Sequence, residues 1–380
     1  MDRPTIEVYE RSAATYADRR GVPRPDRVTA FARAVDDGCS VSSGYGGPGG
    51  GRRRLDLGCG PGHYLPLLGG PAFGLDATAA MVRLAAMAAP GVPVAQGDLA
   101  HLPFGRHMFG GVWASKAHQH LPAAELPMAL AEVHRVLAIG GRLDLTVFAT
   151  PPAGATFEQV TDAESGDDLP GRLFTWWQPD QLADVVAAAG FSVEALHLVP
   201  VRDQDRHPRI EIVAVAERAL PDHVGAGMRL LCCGLNPSLH AADAGVGYVT
   251  GSNRFWRALA AAELATGDRD ARHLLHQDRI GMTDLVKRPT ARADEVTGDE
   301  YRAGIGRLDR LCAWLRPKAV AVVGLAGWRA AVDRRATVGW QTRSLGGSPV
   351  YVLPSTSGLN ARIPLAALAD HLRRAATGPD

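Results

Sequence analysis

The chain has 380 residues, 46% of them hydrophobic, a formal net charge of +1 and five scattered cysteines. A chain of this length usually folds around more than one hydrophobic core, so two domains are expected. No run approaches roughly 18 apolar residues and the N-terminus is charged, so we expect neither a membrane span nor a signal peptide. The cysteines form no CxxC and no cluster with metal-ligand spacing, which disfavours a metal site and fits a reducing, cytoplasmic location. They are Cys39, Cys59, Cys232, Cys233 and Cys312.

The small net charge hides an asymmetry between the two ends of the chain. Residues 1–227 carry 20 Lys and Arg against 26 Asp and Glu, whereas residues 228–380 carry 21 against 14. A basic C-terminal half fits a polyanionic partner such as DNA, and it equally fits a solvated, arginine-rich surface.

In chain order, a Gly-rich stretch at 42–54 leads into apolar runs that alternate with helical patterns. The runs RRLDLG, AFGLD, VPVAQGD, FGGVWAS and GRLDLTVF predict strands, and ATAAMVRLAAMAA and PMALAEVHRVLA predict helices between them. This alternation is typical of a doubly wound parallel sheet. Residues 150–172 are predicted to form a loop or small insertion. A helix ending at Gly190 and a hairpin of two long strands, FSVEALHLV and RIEIVAVAE, follow.

A Pro- and Gly-containing break at 218–227 is the predicted linker between two domains, 1–217 and 228–380. After it the alternation resumes. Strands are predicted at 229–233, 318–323 and 349–353, with a strand or loop around GMTDLV, and helices at 253–265, 299–314, 325–334 and 363–374. The second half is therefore another α/β unit.

A glycine-rich turn follows the first predicted strand, in LDLGCGPGH at 55–63. Gly58, Gly60 and Gly62 permit positive φ and close approach of a ligand to the backbone. Asp76 ends the second strand about 20 residues on, where a carboxylate can accept hydrogen bonds from ribose hydroxyls. Asp98 ends the third strand, where it can bind an adenine amino group.

With the phrase ALAEVHRVLAIGGRLDL at 129–145, these motifs resemble class I S-adenosylmethionine-dependent methyltransferases over residues 5–217. The resemblance implies a Rossmann-like sheet and S-adenosylmethionine as cofactor. It places Asp76 at the ribose and Asp98 beside the adenine. The full set of implied cofactor-binding residues is Asp56, Gly58, Cys59, Gly60, Gly62, Asp76, Asp98 and Leu99.

The sequence gives little indication of the methyl acceptor, because methyl transfer needs mainly proximity and in-line geometry. The segment WASKAHQHLP at 113–122 follows the fourth strand, where acceptors usually meet the methyl group. His118 and His120 are candidate bases there, or structural histidines. No NPPY-like or PC signature follows that strand, which disfavours the usual DNA amino- and C5-methyltransferases.

The C-terminal half carries an ordered set of motifs: GLNPS at 234–238, TGSNRFW at 250–256, GMTDLV at 281–286 and VYVLPSTSGLNAR at 350–362. The set resembles mismatch-specific uracil-DNA and thymine-DNA glycosylases over residues 228–375. The resemblance implies a uracil-DNA glycosylase-like α/β domain with a short central parallel sheet, no cofactor, and duplex DNA with a mismatched or damaged base as partner.

In this family the base is extruded from the stack and a water attacks the deoxyribose. The resemblance implies that Asn236 orients the water and that Pro237 stiffens the turn. Tyr248 is implied to stack on the base, or it is ordinary loop packing. Asn253 is implied in the base pocket and is also a candidate helix cap. The base pocket so implied consists of Gly234, Leu235, Pro237, Tyr248 and Asn253.

The motif SGLNAR at 357–362 is implied to be the DNA wedge. Ser357 would contact a phosphate, and Gly358 and Leu359 would enter the minor groove, where an apolar side chain fills the space of the extruded base. Asn360 and Arg362 would contact the opposite strand or the backbone. Alternatively, Leu359 covers the helix that follows.

Three departures from the family pattern put the substrate range in question. Ser238 stands where the turn often has Gly, Ser355 and Thr356 precede Ser357 where relatives often have Asn-Pro, and Asp284 replaces Lys or Asn. Asp284 is either a general base in the pocket or the ion-pair partner of Lys287 or Arg288.

The sequence thus predicts a monofunctional glycosylase acting on uracil, or thymine or ethenocytosine, opposite guanine, because no lysine stands in a nucleophile's place. It is fused to a methyltransferase of unknown acceptor. The alternative is a small-molecule or RNA methyltransferase whose C-terminal domain only binds nucleic acid. A third reading makes the N-terminal half a degenerate cofactor sensor or scaffold.

Overall fold

The computed structural model of the chain describes residues 2–19, 24–38, 52–151, 154–201, 207–358 and 362–379. It contains two compact units. The first comprises residues 1–187 and 191–217, and the second comprises residues 188–190 and 218–380. The predicted linker, 218–227, is grouped with the second unit, where Asp222 and Val224 are buried.

The first unit is built on a nine-stranded mixed sheet. Six strands pair in parallel in the order β3-β2-β1-β4-β5-β7, and β9 pairs antiparallel with both β5 and β8. Strand β1 is buried along its whole length, as expected for a parallel sheet covered on both faces. The strands are β1 Arg54–Leu57, β2 Ala72–Asp76, β3 Val94–Gln96, β4 Phe109–Ser115, β5 Leu137–Ala149, β6 Phe157–Val160, β7 Leu173–Trp177, β8 Phe191–Val199 and β9 Arg209–Ala216.

Two helices at the N-terminus of this unit, at 3–19 and 25–38, were not predicted from the sequence. In α2, residues Val28, Phe31, Ala32 and Val35 are buried at helical spacing, and this stripe packs on the core beside Trp113. The helices are α1 Arg3–Arg19, α2 Pro25–Gly38, α3 Leu65–Leu68, α4 Ala79–Ala88, α5 Leu126–Val136 and α6 Pro179–Ala188.

Of the two alternatives predicted for residues 150–172, a loop or a small insertion, the structure favours the insertion, because β6 lies within them and pairs antiparallel with β7. All four residues of β6 are exposed, so no buried alternation marked the strand in the sequence. Its pairing and the stacking of Phe157 on Trp176, with ring centroids 5.0 Å apart, hold it in place.

The second unit has a five-stranded sheet in the order β11-β10-β12-β14-β13, parallel except for the short edge strand β13. The segment around GMTDLV is a strand, and it ends at Asp284. The four parallel strands are wholly buried. The strands are β10 Leu230–Gly234, β11 Ile280–Asp284, β12 Val320–Val323, β13 Gly339–Trp340 and β14 Val350–Leu353.

Helices cover this sheet, and Phe255, Leu259, Leu368 and Leu372 contribute to one core cluster with the strands. The helices are α7 Leu239–Ala244, α8 Phe255–Ala261, α9 Ala271–His276, α10 Gly298–Leu315, α11 Leu325–Ala331 and α12 Leu365–Thr377. The short helices α7 and α9 were not predicted. Thr297 begins α10 with a reciprocal capping box to Glu300.

The described cysteines are all buried and unbridged, and Cys39 lies outside the described residues. None of the described helices combines the length and apolar character needed to cross a membrane. In the same part of the chain, no group of three or more His, Cys, Asp and Glu side chains is arranged to hold a metal ion.

Candidate active sites

The glycine turn after β1 is bound to the end of β2. The backbone amides of Gly58 and Cys59 both donate to the Leu75 carbonyl, at 2.8 and 3.0 Å, and the Gly60 amide donates to Asp76 Oδ2 at 2.9 Å. The other oxygen of Asp76 accepts from the amide and hydroxyl of Thr78. Asp76 therefore fixes the turn while keeping carboxylate lone pairs for a further donor.

The three glycines of this turn have different roles. All have positive φ, at 74°, 52° and 85° for Gly58, Gly60 and Gly62. A Cβ on Gly58 would lie 2.3 Å from the Ala117 Cβ, and one on Gly62 would lie 2.8 Å from the Ala85 Cα. A Cβ on Gly60 would meet nothing within 4 Å, so Gly60 alone of the three faces open space.

Gly58, Gly60 and Asp76 line a cavity of about 540 Å³ that extends along the first unit. We call these three residues the glycine-turn end. Another part of the lining, which we call the aromatic end, is formed by Phe148, Phe174, Trp176 and His207. A cavity of this size is in the usual range for small-molecule sites.

Asp56 lies at the end of β1, 1% exposed, with Oδ2 lacking any hydrogen-bond partner within the described residues. Burial, with a smaller contribution from Asp76, raises the pKa of Asp56 to about 8. An unpartnered buried carboxyl beside a glycine turn fits a ligand group that donates hydrogen bonds.

The remaining predicted cofactor residues take other positions. Burial raises the pKa of the Cys59 thiol well above its ordinary value, and its Sγ packs against Gly74. Asp98 Oδ1 accepts from the Ala100 amide at 2.9 Å, and Leu99 is buried. These three residues are not among those lining the 540 Å³ cavity, and neither are Asp56 and Gly62.

Of the two candidate histidine bases, His120 lines the cavity. Its Nδ1 lies 2.8 Å from the Leu173 carbonyl, which can only accept, so Nδ1 carries the proton and Nε2 accepts from the Tyr9 hydroxyl at 2.9 Å. Burial lowers the pKa of both His118 and His120 to about 4. Both rings are therefore neutral at neutral pH.

In the second unit, the turn that carries Asn236 is bound to the segment after β11 by three backbone hydrogen bonds. The amides of Leu285, Val286 and Thr290 donate to the carbonyls of residues 234, 235 and 237, at 2.9, 2.9 and 3.1 Å. The position of Asn236 thus follows from the register of β10 on β11.

The Asn236 amide has one defined orientation. Its Nδ2 donates to Thr290 Oγ1 at 2.7 Å, and the Thr290 hydroxyl donates its single proton to the Arg292 carbonyl at 2.8 Å. Thr290 can therefore only accept from the amide, which fixes the nitrogen on that side. The Asn236 oxygen is left for another donor. No role for Thr290 was predicted from the sequence.

Asn236 lines a cavity of about 250 Å³ together with most of the predicted base-pocket residues. Leu235, Pro237, Tyr248, Asn253, Asp284 and Ser357 also line it. Gly234 lies beneath two of them, since a Cβ there would come 2.2 Å from Asp284 Oδ1 and 2.9 Å from Tyr248 Oη.

Tyr248 has a positive φ of 57°, and its ring stacks on Phe255 with centroids 4.0 Å apart and planes 22° apart. Its hydroxyl is buried and has no hydrogen-bond partner among the described residues. Asn253 Oδ1 accepts from the Phe255 amide at 3.0 Å, so the alternative role of Asn253 as a cap of α8 is present.

Asp284 is 7% exposed at the end of β11, and no described residue donates a hydrogen bond to its carboxylate or pairs with it. The predicted alternative, an ion pair with Lys287 or Arg288, is wrong. Lys287 Nζ binds Asp222 at 2.6 Å, and Arg288 binds Glu300 at 2.7 Å.

Burial is the main cause that raises the pKa of Asp284 to about 6. Lys287 and Arg307 oppose this shift, and Asp222 adds to it. The same three residues form a network, in which Arg307 donates to Asp222 at 2.7 Å and to the Asp284 carbonyl. The network holds the backbone of Asp284 and leaves its carboxylate directed to the cavity.

In the predicted wedge, a Cβ on Gly358 would lie 2.7 Å from the Ser252 Cβ, so this loop packs closely on the segment before α8. The Thr356 carbonyl accepts from the Arg254 amide at 3.0 Å. Arg362 is exposed. Leu359 and Asn360 lie outside the described residues. Ser238, one of the departures, caps α7 by accepting from the Ala241 amide at 3.1 Å.

Two family models match the chain, a methyltransferase domain over residues 55–145 and the Uracil DNA glycosylase superfamily over residues 221–373. The two sites therefore belong to two different classes of enzyme domain. The chain is a fusion of a Rossmann-like methyltransferase domain with a domain of the uracil-DNA glycosylase superfamily, which confirms the predicted two-domain fold class.

Several solved methyltransferase structures are similar to the chain at low identity. One from Methanosarcina mazei is 20% identical, with 43% of this chain and 92% of that chain covered and a TM-score of 0.38. One from Mesorhizobium loti is 20% identical, with 43% and 90% covered and a TM-score of 0.35. The 1,6-didemethyltoxoflavin-N1-methyltransferase of Burkholderia thailandensis is 19% identical, with 56% and 85% covered and a TM-score of 0.41.

Proposed function

We propose that the second unit is a monofunctional DNA glycosylase that hydrolyses the N-glycosidic bond of uracil mispaired with guanine. Thymine and ethenocytosine opposite guanine are further candidate substrates. One observation carries the proposal. The Asn236 amide is fixed by Thr290 with its oxygen free for a water, and it lines the same 250 Å³ cavity as the unpaired Asp284 carboxylate.

The cavity supplies the surroundings that an extruded base needs. Tyr248 lines it, and Phe255 backs the ring at 4.0 Å, so the tyrosine is held in place to stack on the base. Stacking of a base on an aromatic side chain contributes about 1–3 kcal/mol. In this proposal Ser357, Gly358, Leu359, Asn360 and Arg362 form the wedge that fills the gap in the duplex.

In the proposed reaction the bond between the sugar C1′ and the base nitrogen breaks, and its electron pair leaves with the base. The sugar becomes oxocarbenium-like, and the oxygen of a water bonds to C1′. Asn236 Oδ1 accepts one hydrogen bond from that water and thereby positions it. The ionised carboxylate of Asp284 stabilises the cationic sugar and takes the second proton of the water. The base leaves as its anion and takes up a proton from the solvent, so the products are the free base and an abasic site.

A Schiff-base mechanism would need a lysine in the cavity. Lys287, the lysine next to the site in sequence, is bound to the buried Asp222 at 2.6 Å. It is not among the residues that line the cavity, so it is not placed to attack the sugar. This favours a monofunctional enzyme that leaves the abasic site for other enzymes.

For the first unit we propose S-adenosylmethionine as cofactor, and the residues present fit it. Gly60 and Asp76 line the cavity, where Gly60 faces open space and Asp76 keeps lone pairs for ribose hydroxyls. Asp56, whose buried Oδ2 has no partner among the described residues, lies in the strand just before the turn. Asp98 and Leu99 remain predicted adenine contacts. The cofactor, when bound, supplies the methyl group. The chain's own residues orient it and hold the acceptor beside it.

The experiment uses the full-length protein and a labelled duplex with one U·G pair, with a matched C·G duplex as control. Alkali reveals any abasic site, and an Asn236→Ala variant tests the amide. We expect cleavage at uracil that disappears in the variant. Duplex binding without cleavage would contradict the glycosylase proposal and favour a nucleic-acid-binding module. Calorimetric titration with S-adenosylhomocysteine tests the first unit separately, and absence of binding would favour a scaffold.

A further inference from the structure

The cavity of the first unit contains one buried polar side chain that is not among the predicted cofactor-binding residues. Gln119 lies in a 3-10 helix, His118–His120, directly after β4, and it lines the cavity. It is 3% exposed, and its Oε1 has no hydrogen-bond partner in the described part of the chain. An unsatisfied buried acceptor costs about 1–3 kcal/mol, so such groups usually serve a ligand or a bound water.

Gln119 lies at the junction of the two ends of the cavity. Two residues before it, Ala117 contacts Gly58 of the glycine-turn end, where a Cβ on the glycine would come within 2.3 Å. One residue after it, the His120 ring lies 4.7 Å from the Phe174 ring of the aromatic end. A donor bound to Gln119 therefore sits between the cofactor side and the aromatic side.

The aromatic end has the geometry of a binding wall for a planar ring. Phe148 and Phe174 stack with centroids 5.3 Å apart and planes 23° apart. Trp176 lies 5.8 Å from Phe148, and His207 lies 4.9 Å from Phe148. Aromatic surfaces of this kind bind rings by offset stacking and edge contacts.

The charged side chains beside the aromatic end are Asp167, Asp168 and Arg172, and Lys116 also lines the cavity. The Arg172 guanidinium is already bound to Asp167 and, at 3.3 Å, to Asp168, and it donates to the Tyr9 hydroxyl at 2.8 Å. It also lies over the Phe174 ring at 5.0 Å. A phosphate-bearing nucleic acid would meet two carboxylates whose cation is already engaged.

We propose that the methyl acceptor is an uncharged, small aromatic molecule with an O–H or N–H group that donates to Gln119 Oε1. Its ring packs against Phe148, Phe174 and Trp176, and its heteroatom faces the glycine-turn end. This inference rests on the proposed methyltransferase function of the first unit. It assigns to that unit a small-molecule acceptor rather than a nucleic acid.

The test measures binding to the full-length protein by equilibrium dialysis, with and without S-adenosylhomocysteine. The probes are 2-naphthol and 2-methoxynaphthalene, which share the ring system and differ in the donor. We expect 2-naphthol to bind about tenfold more tightly, the effect of one hydrogen bond to an otherwise unsatisfied buried group. Gln119→Met should abolish this preference, and Trp176→Leu should weaken binding of both probes.

Gln119→Glu keeps an acceptor oxygen and should retain the preference, which covers the case in which the methionine variant does not fold. Equal binding of the two probes, or a preference that survives Gln119→Met, would refute the role of Gln119. Binding of S-adenosylhomocysteine with no binding of either probe would overturn the aromatic acceptor and leave the methyltransferase proposal standing. Displacement of 2-naphthol by a mixed-sequence single-stranded RNA would overturn the small-molecule assignment.

Discussion

Replacement of Thr290 by valine tests whether the Asn236 amide works by being held in one orientation. The Thr290 hydroxyl accepts from Asn236 Nδ2 at 2.7 Å and donates to the Arg292 carbonyl at 2.8 Å. Valine keeps the branched shape of threonine at this buried position and makes neither bond. The perturbation therefore removes the restraint on the amide with little change in packing volume.

The size of the effect follows from what remains after the substitution. Asn236 Nδ2 keeps only longer contacts, 3.2 Å to the Pro237 carbonyl and 3.4 Å to the Arg288 carbonyl. A net hydrogen bond contributes about 0.5–1.5 kcal/mol. We take the upper value because the amide is partly buried, which corresponds to a cleavage rate lowered about tenfold.

The assay is single-turnover cleavage of the U·G duplex, with the dissociation constant for DNA measured in parallel. Thr290→Ser is the matched control because it keeps the hydroxyl and loses one methyl group. We expect slow cleavage by Thr290→Val, near-normal cleavage by Thr290→Ser and unchanged DNA affinity for both. A wild-type rate for the valine variant would refute the orientation argument. Equal losses in both variants, with equally lowered thermal stability, would assign Thr290 to the fold instead.

Three further predictions concern stability and pH. Cleavage should rise with pH through about 6, where the Asp284 carboxyl ionises, and Asp284→Asn should be slow and lack this rise; an Asn variant with the wild-type pH profile would exclude Asp284 as the base. Gly62→Ala should destabilise the first unit by about 1–3 kcal/mol in thermal unfolding, because the added Cβ meets the backbone of α4, whereas Gly105→Ala, which meets open space, should not. Asp222→Ala should cost about 3–5 kcal/mol, since it leaves Arg307 buried without its partner; an unchanged denaturation midpoint would show that the network is not structural.

Features set by neighbouring residues could be predicted from the sequence. The positive φ angles of Gly58, Gly60 and Gly62 follow from the local glycine pattern. The strand before them follows from the adjacent run of apolar residues. The turn that presents Asn236 was likewise predictable, because a buried strand and a rigid Pro-containing turn are contiguous in the chain. What the sequence did not indicate was that Gly58 and Gly62 also leave no room for a Cβ against Ala117 and Ala85.

Features set by distant residues could not be predicted. Thr290 is 54 residues from Asn236, and only the register of two parallel strands brings them together. The expected ion pair of Asp284 failed for the same reason, since its neighbour Lys287 binds Asp222, 65 residues away. The helix α2 is a different case, because its apolar residues stand at helical spacing in the sequence and the prediction overlooked this local signal.

Three backbone hydrogen bonds join the turn at 234–237 to the segment at 285–290. The geometry of the proposed glycosylase site therefore depends on the sheet that holds these two segments together. The chain between these two segments returns through β11, so the pairing of β10 with β11 sets how they meet. Opening the pairing of β10 with β11 would separate the amide from its anchor and from Asp284 in a single event.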